Sequence, residues 1–259
     1  MNVGVSSACL YPLETEESFL FLAKNGVKRT EIFFNGLTEL KDSFIDELLD
    51  IKERYGVEIT AIHPYASFAE PFLIFSEYYR RFIESKEIYN NYFNIAKRLG
   101  AKYVTLHGDK IHGKLTVEEY CERYLELYLL AKEKGVTLNQ ENVANFRSRD
   151  VEFIAEMSKI LGDNVSYTLD IKQCIRSGVN PLDMINAMGK KINHIHISDH
   201  SYSSDCLLPY NGGFNFKGFF ELMKAQNYKG DFIIEVYNNA YKNPKEIIES
   251  YNSLLKICE

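Results

Sequence analysis

Acidic and imidazole side chains recur in this chain at the ends of short apolar runs. Four runs end in this way, and the residues concerned are Glu141, Asp170, His196 and Glu235. Three carboxylates brought together in a cleft would repel one another and raise each other's pKa unless a cation lay between them. Carboxylate oxygens and imidazole nitrogens are suitable ligands for Mn²⁺, Mg²⁺, Co²⁺ or Zn²⁺. Loop amides could satisfy one isolated strand-end acid, but four runs in succession predict one bound divalent ion.

Two histidines end further apolar runs, His63 in Ala-Ile-His-Pro-Tyr and His107 in Thr-Leu-His-Gly-Asp. They could hold a second metal with Glu141 as a bridging ligand, or they could hydrogen-bond a substrate hydroxyl. A single strand-end histidine is more often a polar contact than a metal ligand, so we favour substrate binding for both. Lys172 and Gln173, which follow Asp170, are further candidates for substrate contacts.

The elements that must position these residues are indicated by repeated glycine junctions. Each glycine ends a helical pattern and precedes an apolar run, because glycine adopts the left-handed conformation after a helix without a Cβ clash. The junctions lie at Gly26, Gly56, Gly100, Gly135, Gly162, Gly189 and Gly230. Together with the opening run they predict eight strands, at residues 2–7, 29–34, 58–63, 103–107, 137–141, 165–170, 192–198 and 231–236.

Eight strands that alternate with helices call for a parallel sheet with right-handed crossovers. The pattern predicts an α/β protein, a (β/α)8 TIM barrel forming a single domain over residues 1–259, with a doubly wound open sheet as the alternative. Barrel enzymes carry their sites at the C-terminal ends of the strands, where the candidate residues fall. Alternation along the seventh strand places His194 on the same face as His196 but one layer deeper. We therefore expect His194 either to pack inside the barrel or to contact a metal ligand without contacting the metal. The connection 200–217 contains a proline and paired glycines, which predict a shaped loop over the barrel mouth.

The composition narrows the classes of function. A net charge of −6 without a long run of one sign disfavours non-specific binding to nucleic acid, so we expect no nucleic-acid partner. No apolar run approaches the roughly 18 residues of a membrane span, so no membrane association is expected. Five scattered cysteines without a C-x-x-C spacing favour a reducing, cytoplasmic location. The expected partner is a small carbohydrate. Surface tyrosines could serve a dimer interface, so a homo-oligomer is a further possibility.

The four candidate ligands, with His196 in His-Ile-Ser-Asp and Glu235 in Ile-Ile-Glu-Val, resemble the metal-ligand pattern of the xylose isomerase-like TIM-barrel superfamily. That superfamily includes sugar and sugar-phosphate isomerases and epimerases, inosose dehydratases and nucleases of the endonuclease IV type. The resemblance covers nearly the whole chain, including the loop at 207–216. In the ketose 3-epimerase branch it implies that one metal holds adjacent oxygens of the sugar. Glu141 and Glu235 would then exchange a proton through an enediolate, with Asp170 and His196 as further ligands.

The chain also departs from the family pattern. Gln173 stands where a histidine commonly follows the aspartate, and Cys206-Leu-Leu-Pro209 replaces a loop that often reads Arg-His-Leu-Pro. In the endonuclease branch, the third of three zinc sites would need histidines at Gln173 and Leu207. The residues that match the other two zinc sites are His63, His107, Glu141, Asp170, His196 and Glu235.

The favoured function is therefore a divalent-metal-dependent isomerase or epimerase of a small keto sugar, sugar phosphate or polyol. The alternatives are a dinuclear metal phosphoesterase and a non-catalytic barrel that binds a sugar. The altered positions, above all Gln173 and Leu207, keep the last of these open.

Overall fold

Eight parallel strands close into a barrel in the computed structural model, which describes residues 2–258. Around the barrel the strands follow one another in the order Asn2–Ser6, Asp231–Ile234, Ile192–Ile197, Tyr167–Asp170, Thr137–Glu141, Tyr103–Leu106, Glu58–His63 and Arg29–Phe33. The first strand pairs with both the second and the last of this order, which completes the ring. Closure confirms the (β/α)8 barrel and excludes the open sheet. The strand ends differ by at most two residues from those predicted. The barrel strands are β1 (Asn2–Ser6), β2 (Arg29–Phe33), β3 (Glu58–His63), β4 (Tyr103–Leu106), β5 (Thr137–Glu141), β6 (Tyr167–Asp170), β7 (Ile192–Ile197) and β10 (Asp231–Ile234).

Helices surround the barrel and fill the connections between its strands. At the ends of two long helices, Gly56 and Gly100 adopt φ values of 60° and 75°, the left-handed conformation predicted for the glycine junctions. None of the helices within residues 2–258 is both long and apolar enough to cross a membrane. The helices are α1 (Thr15–Lys24), α2 (Asp42–Tyr55), α3 (Glu70–Leu73), α4 (Tyr79–Leu99), α5 (Val117–Glu133), α6 (Val151–Leu161), α7 (Ile171–Ser177), α8 (Pro181–Met188), α9 (Phe216–Ala225) and α10 (Lys245–Cys258).

The outward side of the barrel strands packs against the helices and forms the apolar core. Phe232 on β10 shows the pattern, with its ring 4.7 Å from that of Phe220 and 6.0 Å from that of Phe219 on α9. Burial of each such side chain stabilises the fold by about 1.5–3 kcal/mol. The inward side is more polar, as in the bond of 3.3 Å from Asn139 Nδ2 to Thr168 Oγ1. The apolar shell therefore fixes a scaffold whose interior carries polar groups.

The connection after β7 contains a short antiparallel hairpin, β8 (Asp199–Ser201) and β9 (Ser204–Leu207), which the sequence did not indicate. Strands of three and four residues are too short to show a period of two. The buried carboxylate of Asp199 holds the following loop, since it accepts hydrogen bonds of 2.9 Å from the backbone N–H groups of Gly212 and Phe214. The predicted shaped loop is thus a hairpin followed by a turn that is held by hydrogen bonds to the Asp199 carboxylate.

Candidate metal centre at the barrel mouth

Four of the predicted site residues converge where the strands end, and we call Glu141, Asp170, His196 and Glu235 the tetrad. His196 Nδ1 lies 3.1 Å from Glu141 Oε1, 3.5 Å from Glu235 Oε2 and 3.8 Å from Asp170 Oδ2. One ligand atom from each of the four lies within 4.8 Å of the others. Parallel register produces this convergence, because His196 pairs with Asp170 on one side and with Ile233 on the other. The tetrad therefore has the spacing that a single ion requires.

The backbone around Asp170 is held on both sides. Its N–H donates to Asn142 Oδ1 at 2.8 Å, and its carbonyl accepts from Asn142 Nδ2 at 2.9 Å. Asp170 Oδ1 also caps helix α7 by accepting from the N–H of Gln173 at 2.9 Å. At β10 the ladder extends one residue beyond the strand, since the Glu235 N–H donates to the Ile197 carbonyl at 3.1 Å. These bonds fix the two carboxylates relative to β7.

A fifth acid, Glu31 on β2, supports the tetrad from inside the barrel and was not among the predicted site residues. Its Oε2 lies 2.9 Å from His194 Nε2 and 3.1 Å from His196 Nε2, and all three side chains are buried. A carboxylate in this position requires an N–H at each Nε2, so Nδ1 of His196 is the nitrogen that faces the tetrad carboxylates. The available signal was a glutamate at the centre of a strand of five residues.

The electrostatics of this group favour ionised side chains despite full burial. Burial opposes ionisation of Glu31, but the facing His196 charge and the hydrogen bonds from both histidines outweigh it and hold its pKa well below the usual range. Burial likewise opposes protonation of His196, yet Glu31 and Glu235 outweigh it and raise the pKa of this imidazole well above its ordinary value. His196 Nδ1 consequently either carries a proton toward Glu141 or, without that proton, offers a lone pair to a metal.

Lys172 lies inside the site instead of at its rim. The side chain is 2% exposed, and its Nζ lies 2.6 Å from Glu235 Oε2 and 3.1 Å from Asp170 Oδ2. Burial opposes the charge on Lys172, but Asp170 and Glu235 outweigh it and raise the ammonium pKa well above its ordinary value. Burial similarly opposes ionisation of Glu235, and Lys172 and His196 outweigh it and lower that pKa. For Asp170, burial outweighs Lys172 and raises the carboxyl pKa.

The two remaining histidines approach the tetrad from the other side. Glu141 Oε2 lies 3.1 Å from His107 Nε2 and 3.8 Å from His63 Nε2, and the two imidazole rings are 4.6 Å apart. Burial opposes ionisation of Glu141, but the neighbouring imidazoles of His107, His196 and His63 outweigh it and hold the pKa well below its usual range. His63, His107 and Glu141 also form a group with the spacing of metal ligands. The structure thus brings both predicted histidines to the same carboxylate.

The loop that carries His107 depends on a glycine. Gly108 has a φ of +94°, and a Cβ on it would meet the Tyr120 hydroxyl at 2.1 Å. Its N–H donates to Oε2 of the buried Glu70 at 2.6 Å, and Gln140 Nε2 donates to the His107 carbonyl at 2.9 Å. The position of His107 is therefore set by groups outside the site.

Comparison with known proteins identifies the family of this barrel. The profile of the family described as Xylose isomerase-like TIM barrel matches residues 19–257. The chain belongs to this family.

An uncharacterized protein of Mycobacterium leprae is 24% identical over an alignment that covers 95% of this chain and 92% of the relative. Among solved structures, a D-tagatose 3-epimerase-like protein superposes with a TM-score of 0.80 at 24% identity, covering 100% of this chain and 97% of its own. A D-psicose 3-epimerase crystallised in the presence of D-fructose gives a TM-score of 0.78 at 14% identity, with 99% and 97% covered. At these identities the solved structures establish the shared fold.

The mouth of this xylose isomerase-like barrel contains a cavity of about 430 Å³, within the roughly 300–1,000 Å³ of small-molecule sites. Within the tetrad, Glu141 and Glu235 line the cavity, whereas the buried Asp170 and His196 do not. Gln173 also faces the cavity, and its Oε1 accepts from the Ala144 N–H at 3.1 Å. The other lining residues are Ala8, Tyr11, Phe33, Asn35, His63, His107, Lys172, Val236 and Tyr237.

The donor set fits a divalent ion. Asp170 Oδ2 is buried and contacts the Lys172 ammonium at 3.1 Å. Glu141 Oε2 is buried as well, yet it accepts no hydrogen bond of acceptable geometry from any side chain or backbone group in residues 2–258. A buried carboxylate oxygen without such a bond is costly unless a cation contacts it. Three carboxylates and one imidazole supply the oxygen and nitrogen ligands that Mn²⁺, Co²⁺ or Zn²⁺ accept.

Proposed function

We propose that this protein is a divalent-metal-dependent isomerase or epimerase of a small keto sugar, sugar phosphate or polyol. The observation that carries the proposal is the convergence of the tetrad at the floor of a cavity of sugar size. The names of the solved structures that share the fold, a D-tagatose 3-epimerase-like protein and a D-psicose 3-epimerase, support a sugar as the substrate class.

Glu141 and Glu235 are the proposed acid and base. They are the two tetrad members that line the cavity, and Glu235 is the more exposed, with 12% of its side chain accessible against 2% for Glu141. One carboxylate removes the proton next to the substrate carbonyl, and the other returns a proton to the resulting enediolate. Asp170 and His196 complete the proposed ligand set. A bound divalent ion would polarise the carbonyl and acidify the neighbouring C–H.

The remaining polar groups of the cavity are proposed to bind the sugar. His63, His107, Lys172 and Gln173 line the cavity. The aromatic side chains that line it, among them Tyr237, provide apolar surface that excludes water from the reacting carbons. We therefore propose a small carbohydrate as the partner of this site.

The test is exchange of substrate hydrogen with solvent deuterium. The metal-loaded protein would be incubated in D₂O with a panel of ketopentoses, ketohexoses and inososes, and label would be followed by NMR. We expect label at the carbon beside the carbonyl of one sugar, and loss of exchange in both Glu141→Gln and Glu235→Gln. Glu39→Gln is the matched control, because Glu39 is buried but bonds Asn35 and Thr15 outside the tetrad. Exchange at the wild-type rate in either tetrad variant would refute the assignment.

A dinuclear hydrolase is the second candidate, favoured by the group of His63, His107 and Glu141. In that function Glu141 would bridge two ions, and the histidines would be metal ligands. The number of ions held per chain separates the two candidates.

A further inference from the structure

The Lys172 ammonium contacts two of the four side chains of the tetrad. It projects from the first turn of α7 into the mouth, where its Nζ lies 2.6 Å from Glu235 Oε2 and 3.1 Å from Asp170 Oδ2. The Tyr237 ring covers its other side, with the ring centroid 5.0 Å from Nζ. Carboxylates and an aromatic face surround the ammonium, and both attract a positive charge.

A divalent ion in the tetrad would draw on the same two carboxylates. Asp170 and Glu235 are half of the ligand set, and each already has a fixed positive charge beside it. Two cations that share buried carboxylates repel each other strongly, because little solvent lies between them. The ammonium also neutralises negative charge that would otherwise attract the ion.

An ammonium beside ligand carboxylates can instead strengthen metal binding. A donor to the outer oxygens of ligand carboxylates orients them, and loss of such a donor weakens metal binding. In that role the ammonium would contact oxygens turned away from the other ligands. Asp170 Oδ2, however, lies 3.8 Å from His196 Nδ1 and faces the centre of the tetrad, so Lys172 contacts an inner oxygen. The geometry thus favours competition over orientation.

We propose that Lys172 is a built-in counter-ion of the tetrad that lowers its affinity for a divalent ion. The proposal rests on the tetrad being the metal site of the proposed function. Lys172 thereby determines how tightly this chain holds its metal, whereas the four ligands determine where the metal binds.

The experiment compares Mn²⁺ affinity, without sugar and at one fixed pH, in wild type, Lys172→Met and Arg176→Met by isothermal titration calorimetry. Methionine keeps an unbranched side chain, one heavy atom shorter than that of lysine, and removes its charge. We expect Lys172→Met to bind Mn²⁺ about tenfold to a thousandfold more tightly, the size of the effect that one neighbouring charge has on proton affinity. Arg176 is the matched control, since it lies on the same helix but pairs with Asp205 and Tyr237. We expect wild-type affinity in Arg176→Met.

Equal or weaker Mn²⁺ binding in Lys172→Met would overturn the proposal, as would equal tightening in Arg176→Met. If Lys172→Met is unfolded without metal, Mn²⁺-dependent folding supports the counter-ion role, because the ion then replaces the missing charge. Failure to fold at any Mn²⁺ concentration contradicts it. The proposed function has a separate test in deuterium exchange. Weaker Mn²⁺ binding in Lys172→Met, together with deuterium exchange into a sugar by the wild type, would refute the counter-ion role without contradicting the proposed function.

Discussion

Replacing Glu31 by glutamine tests whether the acid inside the barrel supports the metal centre. Glu31 Oε2 lies 2.9 Å from His194 Nε2 and 3.1 Å from His196 Nε2, and its side chain is completely buried. Glutamine preserves the shape but replaces one oxygen by an NH₂ group and removes the charge. A single neutral oxygen then remains to accept from both imidazoles.

The expected magnitudes follow from the two bonds. Hydrogen bonds to a charged group contribute roughly 1.5–3 kcal/mol each and neutral ones roughly 0.5–1.5, so the exchange weakens the pair by about 2–3 kcal/mol. The free energy of unfolding of the metal-free protein should fall by about this amount. Loss of the carboxylate behind a histidine ligand also reduces metal affinity by about 10–100-fold, which corresponds to roughly 1.4–2.7 kcal/mol of binding free energy.

Two assays measure these effects, urea unfolding for stability and isothermal titration calorimetry with Mn²⁺ for affinity. Glu39→Gln is the control, because Glu39 is also buried, with 6% of the residue exposed, but does not belong to the tetrad. Its carboxylate accepts a hydrogen bond of 2.6 Å from the Asn35 N–H. A destabilised Glu31→Gln protein with wild-type Mn²⁺ affinity would show that Glu31 serves only the fold. That result would refute its role in directing His196 Nδ1 toward the metal.

Two further predictions concern the other side of the mouth. Burial raises the pKa of Glu70 to about 7 from an ordinary value of 4.5, so its contribution to stability is present at low pH and lost as pH rises through about 7. Glu70→Gln should therefore lessen the fall in unfolding free energy between pH 5 and 8, by up to about 3 kcal/mol, in urea titrations at both pH values. An unchanged pH profile would contradict this ionisation. The second prediction concerns the number of metal ions per chain, measured by elemental analysis after loading with Mn²⁺ or Zn²⁺. We expect one ion per chain in the wild type and in the variants His63→Ala and His107→Ala. Two ions in the wild type, with one lost in each variant, would favour the dinuclear hydrolase.

The barrel and the convergence of the tetrad were predictable because parallel strands place their C-terminal ends at one face. A sequence shows which residue ends each apolar run, and closure of the barrel then brings Glu141, Asp170, His196 and Glu235 together. The alternation within β7 was equally readable, and it placed His194 one layer below His196 as the structure has it.

Contacts that depend on side-chain direction were not predictable in the same way. Glu31 lies in the interior of its strand, and only the closed barrel shows that it reaches β7. Lys172 was expected to contact substrate, and it lines the cavity, but its ammonium is turned toward Asp170 and Glu235. That direction is set by the immediate start of α7 after β6, which sequence periodicity does not reveal.

The affinity of this site for metal is consequently not a property of the four ligands alone. Glu31 approaches His196 from within the barrel and should strengthen metal binding, whereas Lys172 approaches Asp170 and Glu235 from the mouth and should weaken it. Each effect is expected to be tenfold or more, and the two have opposite signs. A chain with the same four ligands but an uncharged residue in place of Lys172 would therefore be a much tighter metal binder. The four ligands predict where an ion binds, and the neighbouring charges of Glu31 and Lys172 determine how tightly it is bound.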